Sequence, residues 1–162
     1  MKYFMILCAS FICHMGNAAL PSLTRVNKFH YDGCTMFVEG TASEPKLWDH
    51  CCLEHDLFYW AGGSKIQRRN ADRALRQCIR DVGHPRLAQL MYVAVRTGRF
   101  YPFPFVGQQW GNAWASKRNY RCLSAQDVEN IYVDLDDYDL DLAMKDRLIL
   151  SLQTALGAEC GH

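Results

Sequence analysis

Apolar positions along this chain recur at helical spacing, separated by turn residues, with little of the strict alternation that marks strands. Residues 20–30 read as short and partly helical. Residues 31–40, with Gly33, Cys34 and Gly40, read as a structured loop. Turn material containing Pro45 leads into a first long helix beginning near Lys46 or Leu47, and Gly62-Gly63 stop it. Ser64 then caps a second helix that runs to about Val82, where Gly83 and Pro85 end it. Its buried face is expected to carry Asp72, Leu75, Ile79 and Val82, with the arginines outward. A third helix over 87–95 ends at Gly98. Residues 100–114 hold six aromatics (Phe100, Tyr101, Phe103, Phe105, Trp110, Trp114) among Pro102 and Pro104, which predicts extended or irregular backbone. Ser124 to Asp127 reads as a capping box opening a fourth helix. Leu142, Leu148, Leu150, Leu152 and Leu156 space a last one, stopping at Gly157. The pattern is mainly α, without an internal repeat.

The length of 162 residues fits one domain with a real core. At the N-terminus Lys2, the apolar run 3–13 and the small residues before Leu20 have the form of a secretory signal peptide over 1–19. An uncleaved anchor needs about 20 apolar residues, and His14 and Asn17 interrupt this run. Residues 20–162 then form the single domain, with a core motif at 31–80 and a C-terminal extension at 84–162. Cleavage leaves Cys34, Cys51, Cys52, Cys78, Cys122 and Cys160, an even set that reads as three disulfides in an exported protein, extracellular or periplasmic. Charges balance after cleavage, so no general attraction to nucleic acid is expected. They are segregated, however: residues 64–99 hold nine Lys/Arg against two Asp, and 126–146 hold eight Asp/Glu against one Lys. Two solvated helix faces, turned toward each other, explain this more simply than a polyanion site.

Chemistry concentrates in Cys51-Cys52-Leu53-Glu54-His55-Asp56-Leu57-Phe58-Tyr59. On a helix, Cys51, His55 and Tyr59 share one face at successive i,i+4 steps, with Cys52 and Asp56 on the neighbouring stripe. Suppose the first two helices run antiparallel and are joined by a Cys51–Cys78 bridge. His55 then lies about 6 Å from the bridge, Tyr59 about 12 Å and Asp72 about 9 Å at the helical rise. Asp72 falls level with the gap between His55 and Tyr59, able to accept from both. Such an aspartate stays ionised and fixes the imidazole tautomer, leaving the other ring nitrogen as a base. A zinc set of His50, Cys51, Cys52 and His55 is conceivable by residue type, but adjacent helical cysteines diverge and export favours disulfides. The acidic run 134–139 lacks the twelve-residue calcium-loop pattern.

The run Cys-Cys-x-x-His-Asp-x-x-Tyr, with Asp72 six residues before Cys78, resembles the secreted phospholipases A2. The resemblance covers about residues 31–80. It implies a mainly α, phospholipase A2-like fold: two long antiparallel disulfide-linked helices, a calcium-type loop and additional C-terminal helices. It implies that His55 is the general base, Asp72 orients it, Tyr59 bonds to Asp72, and Asp56 binds Ca2+. It also implies the pairings Cys51–Cys78 and Cys34–Cys52, leaving Cys122 with Cys160. A further family bridge would need cysteines at Phe58 and Ala71; both halves are missing together. The family's calcium loop is glycine-rich because its carbonyls turn inward, whereas here Thr35, Met36, Phe37 and Val38 fill the middle. By position the loop carbonyls would be those of Gly33, Thr35 and Phe37.

The activity so implied is calcium-dependent hydrolysis of the sn-2 ester of glycerophospholipids at a membrane or micelle surface, by a water that His55 activates. Phe103, Phe105, Trp110 and Trp114 are candidates for contact with that surface, since aromatics favour the membrane interface. The altered loop motivates a rival: a phospholipase-like protein that binds lipid or protein without catalysis. A disulfide-stabilised envelope protein is the third reading.

Overall fold

The computed structural model describes residues 26–97, 109–115 and 120–156, and the account of the fold is confined to them. They form five helices and no strand: α1 (Asp49–Ala61), α2 (Lys65–Asp81), α3 (Pro85–Thr97), α4 (Ala125–Leu135) and α5 (Leu142–Thr154). No helix among the described residues is long and apolar enough to cross a membrane. The segment read as a signal peptide lies outside them, as do Phe103, Phe105 and Cys160.

Local chemistry explains most helix ends. Ser64 caps α2 through a reciprocal box, its Oγ accepting from Gln67 N at 3.2 Å while Gln67 Oε1 accepts from Ser64 N at 2.7 Å. Ser124 and Asp127 do the same for α4, and Asp141 caps α5 by accepting from Met144 N. Pro85 stands first in α3, where its missing N–H costs nothing. The first helix starts two or three residues later than its apolar pattern predicts. Trp48 offers no side-chain cap and its N–H bonds instead to Glu39 O at 3.0 Å, which keeps residues 45–48 in turns.

Helix α1 runs between two apolar clusters. On one side Leu57 and Trp60 pack with Val128, Ile131 and Leu135 of α4 and with Met144, Leu148 and Leu152 of α5. On the other, Trp48, Cys51 and Cys52 pack with Leu75 and Ile79 of α2 and Ala88 and Met91 of α3. Two disulfides hold the second side: Cys34–Cys52 ties the 31–40 loop to α1, and Cys51–Cys78 ties the first turn of α1 to the last turn of α2. A bridge between those two ends, with three residues joining the helices at the other end, makes α1 and α2 antiparallel. Adjacent cysteines on a helix point about 100° apart, so each reaches a different partner. Cys122 is also a half-cystine.

Several expectations need correction. Residues 26–30 are not helical, and the rest of the 20–30 stretch lies outside the described residues. Ala71 rather than Val82 joins Asp72, Leu75 and Ile79 on the buried face of α2. In α5 the buried stripe is Met144, Leu148 and Leu152 at i,i+4 spacing, while Leu142 and Leu150 are 74% and 62% exposed. Five leucines cannot all face one neighbour when they are spread around a helix. The basic α2–α3 pair and the acidic α4–α5 pair each pack on α1, and they approach each other where the start of α2 and the end of α5 line one pocket.

Residues 109–115 are irregular, as expected, but their two tryptophans are buried, at 4% and 6% exposure. The last four carbonyls of α1 have no donor within the helix. Gly62 N serves Phe58 O, and the segment supplies the other three: Gly111 N to Tyr59 O at 2.7 Å, Ala113 N to Trp60 O at 2.9 Å and Trp114 Nε1 to Ala61 O at 2.7 Å. Trp110 Nε1 reaches the linker carbonyl of Gly63 at 3.0 Å. Trp114 therefore caps α1 and Trp110 braces the linker that follows it, and both side chains are buried rather than turned to a lipid surface. The approach is close enough to need Gly62, where a Cβ would stand 2.6 Å from Gly111 Cα and φ is +77°.

Candidate active site

His55 and Tyr59 lie one turn apart on α1, with ring centroids 4.3 Å from each other. Asp72 reaches them from α2 and is completely buried. His55 Nε2 is 3.1 Å from Asp72 Oδ1, and Tyr59 Oη donates to the same oxygen at 2.7 Å. The second carboxylate oxygen is not idle: Arg96, in the last turn of α3, donates from Nη1 to Asp72 Oδ2 at 2.9 Å. Tyr59 in turn accepts from Arg68 Nε at 3.1 Å, and Arg68 Nη1 lies 3.3 Å from Tyr120 Oη. Trp110 closes the far side with an edge-to-face contact on Tyr59 at 5.3 Å.

Burial acts on every charge here. It pushes the Asp72 carboxyl up, but the bonds from His55, Arg96 and Tyr59 outweigh it and hold Asp72 below the usual carboxylate range. Burial opposes the charged imidazole of His55, yet the flanking carboxylates Asp56 and Asp72 prevail and make it more basic than a free histidine. Burial and the charge of Asp72 push the Tyr59 phenol well up, so it remains a donor. With Asp72 ionised, the imidazole proton belongs on Nε2, and Nδ1 carries the lone pair.

That lone pair faces Asp56, whose Oδ1 is 3.7 Å from Nδ1, beyond hydrogen-bonding distance. Asp56 is 7% exposed, and its Oδ2 is buried with no hydrogen-bond partner. Burial raises its pKa, and the charge of Asp32 raises it further. A buried carboxylate with an unpartnered oxygen and an acidic neighbour is costly as it stands and would be relieved by a cation.

The loop beside it departs from a simple cradle of carbonyls. Gly33 has φ +80°, and a Cβ there would meet the Glu39 carboxylate oxygen at 2.2 Å. Thr35 adopts a left-handed φ of +42°. The N–H of Phe37 bonds to the Thr35 carbonyl and lies 3.3 Å from that of Cys34. Trp48 Nε1 fastens the loop from below through Val38 O at 2.6 Å. Phe37 packs inward, while Met36 and Val38 are exposed. Tyr31 bonds to the Asp49 carboxylate at the loop's root.

Of the residues singled out from sequence, His55, Tyr59 and Asp72 meet directly and Asp56 adjoins them. The zinc alternative fails on bonding: Cys51, Cys52 and Cys78 are in disulfides, and His50 Nε2 merely sits 3.4 Å from two of those sulfurs. Arg68 and Arg96 were not foreseen. Arg68 stands four residues before Asp72 on one helical face, a spacing that could have drawn notice. Arg96 gives no such signal, because its contact depends on how α3 crosses α2. A scan against protein-family models and searches of curated proteins and of solved structures find no match to the chain.

Proposed function

We propose that this protein is a secreted, calcium-dependent hydrolase of the phospholipase A2 type, cleaving the sn-2 ester of glycerophospholipids. The observation that carries the reading is the buried His55–Asp72–Tyr59 constellation held between antiparallel, disulfide-linked helices. It matches the catalytic arrangement implied by the Cys-Cys-x-x-His-Asp-x-x-Tyr run, and it is what a water-activating base requires. Asp72 fixes the ring and stabilises the imidazolium that forms; Nδ1 takes a proton from water as the oxygen attacks the ester carbonyl. No covalent intermediate on the protein is needed.

Asp56 fits a metal ligand, through its orphaned buried oxygen. With it, the carbonyls of Gly33 and Phe37 would hold the ion, and Thr35 contributes less because its carbonyl is already engaged by Phe37 N–H. Ca2+, a hard cation suited to oxygen ligands, supplies Lewis-acid polarisation of the ester carbonyl when bound. With Asp56 engaged by an ion, its charge facing Nδ1 would be offset, and the imidazolium could pass its proton from Nδ1 to the departing alkoxide. Since Trp110 and Trp114 are buried, contact with the lipid surface passes to the exposed loop side chains Met36 and Val38.

The test is fatty-acid release from mixed phospholipid vesicles in calcium and in chelator. Release that chelator abolishes supports the proposal; no release in calcium refutes it. A second reading is favoured by one feature, the Glu39 carboxylate lying against Gly33 in the loop. It makes the protein a lipid-binding relative without catalysis, and it predicts vesicle binding with no product.

A further inference from the structure

We infer that Arg96 is a positioning residue for the His55 base: by clamping the outer oxygen of Asp72 it fixes the carboxylate plane and so decides which imidazole nitrogen is free. This rests on the hydrolase reading of the site. The two oxygens of Asp72 are used differently. Oδ1 accepts from His55 and Tyr59, both carried by α1, whereas Oδ2 accepts from Arg96, carried by α3. A carboxylate held at one oxygen alone can turn about its terminal bond, where the torsional preference is broad. Held at both, by donors from two different helices, it cannot. The bond to Oδ2 is charge-assisted, the stronger kind, and it satisfies an oxygen that is wholly enclosed.

Fixing that plane matters because the imidazole lies between two carboxylates. Asp72 Oδ1 is 3.1 Å from Nε2 and Asp56 Oδ1 is 3.7 Å from Nδ1. A neutral ring has one proton to give. While Asp72 is aimed at Nε2, the shorter contact wins, the proton stays there, and Nδ1 is the base. If Asp72 turns away, nothing holds the proton on Nε2, and a ring protonated at Nδ1 carries it on the nitrogen that should accept from water. Arg96 can serve this role without obstructing the site. Its guanidinium approaches Asp72 on the oxygen opposite the imidazole, and its side chain is about one-third exposed. Arg68, the other cation near Asp72, bonds to Tyr59 and leaves Oδ2 alone.

The experiment compares the full chain with Arg96→Met and Arg96→Lys. Nitrogen-15 NMR of the His55 ring reads the tautomer directly, with His55→Gln identifying the signal, and kinetics read kcat and KM. The expected result for Arg96→Met is a rise in the Nδ1–H tautomer and a fall in kcat of about 10–100-fold, the usual cost of losing a group that orients a functional imidazole, with KM within about two-fold. Arg96→Lys, which can still donate one bond to Oδ2, should restore most of both. A His55 tautomer unchanged in Arg96→Met overturns the inference, as does a lysine variant indistinguishable from the methionine one. The NMR arm needs no turnover. An inactive wild-type protein would defeat the hydrolase reading, while the tautomer comparison would still decide the role of Arg96. Circular dichroism on both variants separates a tautomer change from unfolding.

Discussion

Replacing Asp72 by Asn tests the electrostatic arrangement at its centre. An asparagine side chain has one acceptor oxygen, but Asp72 serves three donors at 2.7, 2.9 and 3.1 Å. If the amide oxygen faces His55 and Tyr59, its NH2 group meets the Arg96 guanidinium donor to donor. If it faces Arg96, the NH2 group meets the imidazole N–H and the phenol. Either way the buried donors lose an acceptor and Arg96 loses its counter-charge, but Arg96 is one-third exposed and can turn to water, so the cost is about 1–3 kcal/mol. For a domain of this size the midpoint should fall by roughly 3–10 °C. The pH dependence adds a second check. The folded pKa of Asp72 lies below its ordinary value of 3.8, so its stabilisation is complete above that value and is lost as pH falls through the folded pKa. The gap between wild type and Asp72→Asn should therefore be widest near neutrality and narrow below about pH 4. Urea unfolding followed by circular dichroism at neutral and acid pH measures both. A loss under about 1 kcal/mol, smaller than one charged hydrogen bond, would refute the reasoning, and so would a gap that does not change with pH.

Asp56→Asn should behave oppositely without metal. The raised pKa of Asp56 favours the folded state at low pH, and that contribution is lost as pH rises through the folded value, so the ionised carboxylate destabilises the metal-free protein at neutrality. The variant should melt above wild type in chelator and, unlike wild type, gain nothing from calcium; equal calcium-induced shifts would remove Asp56 from the metal's ligands. Gly62→Ala forces a side chain against Gly111 Cα at positive φ and should cost on the order of 1–3 kcal/mol; an unchanged urea midpoint would contradict the close approach. Exchanging Met36 and Val38 for serine should weaken vesicle binding in a flotation assay while leaving the melting temperature unchanged, because both side chains are exposed. Undiminished binding would place the lipid contact elsewhere.

How much of this was legible in the sequence follows from the range of each signal. Helix ends were readable because Ser64, Ser124, Gly62 and Gly83 act on neighbours within a few residues. The meeting of His55, Tyr59 and Asp72 was readable because helical rise converts residue counts into distances once two helices are pinned together. Arg96 was not, because its reach to Asp72 depends on the crossing of α2 and α3, which no local spacing encodes. The tryptophans were misjudged for a related reason. Aromatic composition suits a lipid surface and a buried cap equally well, and only the carbonyls of α1, some fifty residues away in the chain, tell the two apart. In α5 apolar composition does not amount to apolar periodicity, and Met144 rather than Leu142 or Leu150 completes the stripe.

The most direct measurement is regiospecific: glycerophospholipid vesicles labelled at the sn-2 acyl chain, incubated in calcium with the wild-type protein and with His55→Gln. The account predicts labelled fatty acid from the wild type and a drop of about 10²–10⁴-fold in the variant, with helix content preserved in both. Equal release by the two proteins, or release from the sn-1 position instead, would contradict it.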